Sequence, residues 1–276
     1  MPASLRPLTT GQLLDRTFQT YRQNFMLFAG ISALPNACVL VLQLVFLIFS
    51  KSSGGNAAGV AIAAGALGFG FLIVNLIVTA ISTAATTFGV SDVYLEKATS
   101  ISACFARVRG RVGSVIYTSL ELGLRIGIGL ILLIVPGVYW AGKYGLAVPA
   151  VVLEDIKAKQ AFPRSAALTK DAISRIIAIY FLTWILTFVV AVGLGAAVQL
   201  VAPTLAKSAG TVTAAAFNLV LNAIVTTAIT PIMAIALTLA YYDQRVRKEA
   251  FDIENLMSLL GQPTPPPSAQ PAGASL

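Results

Sequence analysis

The sequence predicts an all-α fold: a polytopic membrane bundle of six transmembrane helices. Hydrophobic residues make up 57% of the chain and charged residues 11%, well below the roughly 25% charged content of soluble domains. Uncharged runs recur along the chain, and several exceed the about 20 residues that a helix needs to cross a bilayer. The basic residues collect in the short segments between those runs, which is typical of membrane proteins.

The uncharged runs divide the chain into three parts. Residues 1–24 form an N-terminal cytoplasmic segment, in which Thr10 is expected to cap an interfacial amphipathic helix with Leu14, Phe18 and Tyr21 on one face. Residues 25–256 form the six-span domain, and residues 257–276, rich in proline and small residues, form a disordered cytoplasmic tail. The predicted spans cover about residues 25–50, 57–91, 113–134, 137–154, 175–202 and 211–242.

The third and fourth spans lie back to back, and the Pro136-Gly137 pair is expected to join them. Two further sets of glycines, Gly65 with Gly68 and Gly193 with Gly195, are signals of close helix packing. These glycines indicate close packing and nothing about function.

The distribution of basic residues predicts the orientation. Fifteen of the 19 Lys and Arg residues fall on the side of the N-terminus, whereas only Lys51 and Lys207 fall on the opposite side, so both termini are expected in the cytoplasm. Because these residues set orientation, the net charge of +8 does not indicate a nucleic-acid partner. The expected partners are anionic membrane lipids. The predicted membrane-interface residues are Arg16, Arg22, Arg107, Arg109, Arg111, Arg164, Arg245 and Arg247.

A similar short segment precedes the first, third and fifth spans. Its three copies are Leu13-Leu14-Asp15-Arg16, Cys104-Phe105-Ala106-Arg107 and Ala161-Phe162-Pro163-Arg164. One interpretation is three parallel repeats, each an interfacial helix plus two spans. The other is that any hairpin entering from the cytoplasm has such an aromatic and basic lead-in.

Several stretches resemble a bacterial integral-membrane family, the one named for the membrane domain of glycerophosphoryl diester phosphodiesterase. They are LRPLTTGQLLDRTF at 5–18, PGVY at 136–139, VPAVVLE at 148–154, AFPRS at 161–165 and YYDQRVRKEAFD at 241–252. The resemblance extends over nearly the whole chain to about Leu256. It implies six spans, the bacterial inner membrane and a poorly defined activity.

The catalytic domain of the phosphodiesterase, as the resemblance implies it, is a soluble barrel with histidines as acid and base and carboxylates that bind a metal. This chain has no histidine, and no soluble segment approaches the roughly 250 residues of such a barrel. Cys38 and Cys104 offer neither a disulfide nor metal-ligand spacing. We therefore expect a non-catalytic protein without a metal or other cofactor.

The candidate ligand-binding residues are polar groups inside the predicted spans. Charged side chains at bilayer depth are rare and mark functional sites. Tyr117, Glu121 and Arg125 form one helical stripe, and Lys143 lies on the next span, so the charges can converge near the midplane. They form either a structural ion pair, with Lys143 extending to the outer interface, or a cavity with an excess positive charge that suits an anion.

Two polar rows also occur within spans. Asn218 and Asn222 lie in the sixth span, and Thr79, Thr83, Thr86 and Thr87 lie in the second. Such groups usually form hydrogen bonds between helices or to their own carbonyls. Asn218 and Asn222 are also candidate ligand-binding residues, because they could line a polar path instead.

The interfacial helices and the cytoplasmic basic clusters predict a lipid-associated or partner-binding membrane scaffold, whose partner is a membrane or cytoplasmic protein. The alternative is a small transporter of an anionic solute or lipid. A continuous polar cavity that joins Glu121, Arg125, Lys143 and Asn222 would favour transport, and a closed bundle would favour the scaffold.

Overall fold

A computed structural model of the protein describes residues 8–52 and 57–250, and these residues are almost entirely helical. Ten α-helices are present in this part of the chain, and a π-helical turn, Val246–Ala250, follows the last. The helices are α1 (Thr10–Gln23), α2 (Phe25–Ser52), α3 (Ala57–Tyr94), α4 (Ile101–Arg109), α5 (Val112–Leu132), α6 (Ile134–Tyr144), α7 (Ala147–Glu154), α8 (Ala158–Thr169), α9 (Ile173–Ala209) and α10 (Thr211–Arg245). The predicted disordered tail lies outside the described residues.

The predicted all-α membrane bundle is confirmed. Five helices in the described ranges, α2, α3, α5, α9 and α10, are long and apolar enough to cross a membrane. The span predicted at residues 137–154 is not one helix, because it is divided between α6 and α7, with 11 and 8 residues. The bundle therefore has five continuous spans and one interrupted pair of helices where six unbroken spans were expected.

The turn between α5 and α6 lies at Leu133, which has extended backbone angles (φ −160°, ψ 136°). The prediction that Pro136-Gly137 forms this joint was wrong, since both residues lie within α6. Proline is well tolerated in the first turn of a helix because its fixed φ is helical and its missing N–H has no intrahelical acceptor there.

Helix α8 satisfies the backbone groups at the break between α6 and α7. The Ser165 and Thr169 hydroxyls donate to the Lys143 carbonyl at 3.0 and 2.9 Å, and the Leu146 N–H donates to Ser165 Oγ at 3.2 Å. Irregular backbone at membrane depth is tolerated where protein supplies such partners. The break is therefore built into the packing of α8 against the interrupted span.

The bundle is packed tightly at the end that carries most basic residues. Its core there includes the fully buried side chains Leu13, Phe28, Leu146 and Tyr241. The other end has many exposed apolar side chains, such as Ile131, which is 86% exposed. Such side chains are suited to contact lipid chains rather than protein.

The N-terminal helix α1 packs on α10 by a different face from the one predicted. Leu13 and Thr17 are fully buried, whereas Phe18 is 41% exposed. Thr9, not Thr10, is the N-cap, and its hydroxyl accepts from the Gln12 N–H while the Gln12 side chain accepts from the Thr9 N–H. This capping box sets the helix start one residue earlier than expected.

The three short helices α1, α4 and α8 share one register. Each begins with a cap residue. A buried residue follows four positions after the cap, an arginine seven positions after it and a second buried residue eight positions after it. The three sets are Thr9, Leu13, Arg16 and Thr17; Ser100, Cys104, Arg107 and Val108; and Lys157, Ala161, Arg164 and Ser165. This common register supports the repeat interpretation. Helix α4 packs on α3, α8 packs on α7, and α1 packs on α10.

The glycines differ in what surrounds them. A Cβ built on Gly65, Gly68, Gly193 or Gly195 meets no heavy atom within 4 Å, so the expected close packing at these residues does not occur within the described chain. A Cβ on Gly129 would lie 2.7 Å from Gly137 Cα. The close helix contact therefore occurs in the α5–α6 hairpin.

Candidate functional site

The predicted charges of the third and fourth spans meet in one cavity between α5, α6 and α8, with a volume of about 470 Å³. We call this cavity the basic pocket. It is lined by Tyr117, Glu121, Arg125, Lys143, Tyr144, Lys159, Phe162, Pro163 and Ala166. The structure therefore brings together four of the six residues proposed as ligand-binding from the sequence.

Glu121 and Arg125 form the ion pair that their spacing predicts, through Arg125 Nη2 and Glu121 Oε1. The side chains are 25% and 38% exposed, so the pair borders the pocket rather than the core. The Arg125 guanidinium also lies 4.4 Å from the Phe162 ring centroid and 5.1 Å from that of Tyr144. These cation–π contacts hold the arginine at the pocket wall.

Two lysines add positive charge to the pocket. The Lys143 amine lies 5.4 Å from the Tyr144 ring centroid and 5.7 Å from that of Tyr139. Within the described residues, neither Lys143 nor Lys159 forms an ion pair. Among the described residues, the pocket is therefore lined by three cations and one carboxylate, a net charge of +2.

Lys159 was not among the residues predicted for the site. It belongs to α8, which the sequence indicates only as an interfacial helix. Its place in the pocket depends on how α8 packs against the break in the fourth span. The periodicity of the sequence does not predict this packing.

Asn218 and Asn222 lie elsewhere, in a separate cavity of about 530 Å³ between α9 and α10. None of the described residues that line this cavity also lines the basic pocket. The polar row of the sixth span is therefore not joined to the charges of the third and fourth spans.

Most of the predicted interface arginines are paired within the protein. Arg107 donates to both oxygens of Asp92 at 2.8 and 2.9 Å, and the others with carboxylate partners in the described residues are Arg111, Arg164, Arg245 and Arg247. Arg16 instead lies 5.4 Å from the Tyr94 ring centroid, whereas Arg22 and Arg109 are exposed. The arginines therefore contribute to helix packing more than the sequence indicates.

The acidic partners of these arginines lie near the C-terminal ends of three helices. Asp92, Glu154 and Asp243 lie at the ends of α3, α7 and α10, and each binds at least one arginine. Glu154 also accepts a hydrogen bond of 2.5 Å from the buried Tyr241 hydroxyl. Hydrogen bonding to Glu154 raises the pKa of Arg164 above its ordinary value, so this guanidinium remains charged.

The apolar helices, the interrupted span and the polar groups held within the bundle define this chain as a multi-pass integral membrane protein. The family whose model matches is described as the membrane domain of glycerophosphoryl diester phosphodiesterase, and the match covers residues 116–259, which is 144 of 276 residues. The chain belongs to this family, which confirms the resemblance seen in the sequence. Comparison of the chain with curated proteins and with solved structures found no match.

Proposed function

We propose that this protein is a non-catalytic, lipid-associated membrane protein that binds an anionic lipid headgroup in the basic pocket. The observation that carries the proposal is the pair of lysines, Lys143 and Lys159, that line the pocket beside Arg125 and form no ion pair with any carboxylate in the described residues. Basic pockets between transmembrane helices are a recurring way to bind anionic headgroups.

The surroundings of the pocket suit a lipid better than a small soluble anion. Leu124 and Ile128 continue the helix face of Tyr117 and Glu121 beyond the pocket, and they are 55% and 50% exposed. A phosphate in the pocket would place the acyl chains along this apolar stripe. The separation of the basic pocket from the cavity of Asn218 and Asn222 also supports binding over transport along a route that joins them.

The proposal is tested by native mass spectrometry of the purified protein with gentle delipidation. Each lysine near an anionic lipid contributes about 1 kcal/mol, so Lys143→Gln with Lys159→Gln should weaken retention of anionic lipid about thirtyfold. Lys170→Gln is the matched control, because Lys170 is an exposed residue that follows α8 and does not line the pocket. Equal lipid retention by all three proteins would contradict the proposal, as would a protein partner retained in place of lipid.

We also propose that the protein lies in the inner membrane with both termini in the cytoplasm, on the basis of the distribution of basic residues. In a Cys38→Ala, Cys104→Ala background, a cysteine replacing Ser53 should react with an impermeant maleimide added to intact cells. A cysteine replacing Ser268 should react only after the membrane is permeabilised. The opposite pattern would reverse the proposed orientation.

A further inference from the structure

A third cavity, of about 780 Å³, lies between α2, α3, α5, α9, α10 and the break that separates α6 from α7. We call it the central cavity. Its volume is within the about 300 to 1,000 Å³ typical of ligand pockets. Ser119 and Gly123 face it from α5, whereas Glu121 and Arg125 of the same helix line the basic pocket. The two cavities therefore lie on different faces of α5.

The central cavity is lined by polar groups that have no hydrogen-bond partner among the described residues. The amides of Gln43 and Asn75 and the hydroxyls of Ser119 and Tyr180 form no hydrogen bond within the described part of the chain. A polar group that faces hydrocarbon without a partner is costly. These groups are therefore available to form hydrogen bonds with an occupant of the cavity.

The chemistry of the walls restricts that occupant. The Thr83 hydroxyl donates to the Thr79 carbonyl at 2.8 Å, so toward the cavity its oxygen can only accept a hydrogen bond. The rest of the wall is largely apolar, with residues such as Phe71 and Ile126, and no Asp, Glu, Lys or Arg among the described residues lines it. A charged ligand would enter this cavity without a counter-charge.

We propose that the central cavity binds a neutral glycerolipid that carries a free hydroxyl, of the monoacylglycerol or diacylglycerol type. The lipid hydroxyl would donate to Thr83, its ester carbonyls would accept from the amides of Asn75 and Gln43, and its acyl chains would lie against the apolar wall. This site needs neither Lys143 nor Lys159. It can therefore be tested independently of the proposed headgroup site.

The experiment uses the full chain reconstituted in phosphatidylcholine vesicles with a photoactivatable diacylglycerol. A phosphatidylglycerol with the same photoreactive chain serves as the anionic comparison, and mass spectrometry maps the crosslinked peptides. The diacylglycerol should label the segments of α3 and α5 that line the central cavity more strongly than phosphatidylglycerol does. An excess of unlabelled diacylglycerol should remove that labelling.

Two variants test the site itself. A Cβ on Gly123 meets no heavy atom within 4 Å, so the side chain in Gly123→Leu should fill the cavity and abolish the labelling. Gly127→Leu is the control, because a Cβ on Gly127 also meets no heavy atom within 4 Å but Gly127 does not line the cavity. Asn75→Leu should reduce labelling about fivefold through the loss of one hydrogen bond. Equal labelling by both lipids would show that the cavity holds bulk lipid, and absence of labelling would show that water fills it. Either outcome, or full labelling of Gly123→Leu, would overturn the proposal.

Discussion

Asp243→Asn is expected to lower the free energy of unfolding by about 3 to 5 kcal/mol, the typical cost of removing one member of a buried ion pair. The Asp243 side chain is only 2% exposed, and it accepts from Arg175 Nη1 at 2.7 Å and Arg247 Nε at 2.9 Å. The Leu8 N–H donates to its other oxygen at 2.7 Å. Asparagine can retain the bond to Leu8 but leaves Arg175, which is 15% exposed, without its counter-charge.

The measurement is equilibrium unfolding of the purified protein in detergent, with Asp171→Asn as the control. Asp171 is 78% exposed and pairs with Lys248 at 3.2 Å. Exposed pairs contribute at most about 1 kcal/mol, so the control should differ little from the wild type. Similar losses in both variants would show that the burial of Asp243 does not determine its contribution.

Gly129→Ala is expected to destabilise the protein by about 1 to 3 kcal/mol, the usual cost of overpacking a close contact. The new Cβ would lie 2.7 Å from Gly137 Cα, 2.8 Å from Gly137 N and 3.0 Å from the Trp140 ring. Two of these neighbours are backbone atoms, so α5 and α6 would have to move apart to accept the methyl group.

Gly127→Ala separates this packing effect from helix propensity. Both glycines lie in α5, but a Cβ on Gly127 meets no heavy atom within 4 Å. Alanine is favoured over glycine inside a helix by about 0.5 to 1 kcal/mol, so this variant should be slightly more stable than the wild type. Thermal unfolding of both variants in the same detergent is the comparison. A stable Gly129→Ala protein would show that the hairpin is not closely packed.

The candidate site could be predicted in part because helix periodicity is local. Residues four apart share a helix face whatever the rest of the chain does, so Tyr117, Glu121 and Arg125 were placed correctly on one stripe. The contribution of Lys159 and the separation of Asn222 depend on which helices pack together. Such contacts involve residues far apart in sequence, and periodicity carries no information about them.

The sequence alone establishes that the chain is a helical membrane protein, because a bilayer requires long apolar segments whose backbone groups are paired within each helix. It also determined the family and the positions of most spans. The break in the fourth span could be located only from the packing of the helices, since Ser165 and Thr169 of α8 donate hydrogen bonds to the Lys143 carbonyl across the bundle. The packing of the helices also places Gly129 against Gly137, whereas Gly193 has no such contact among the described residues. Close packing requires two surfaces, and the sequence does not show which two surfaces meet.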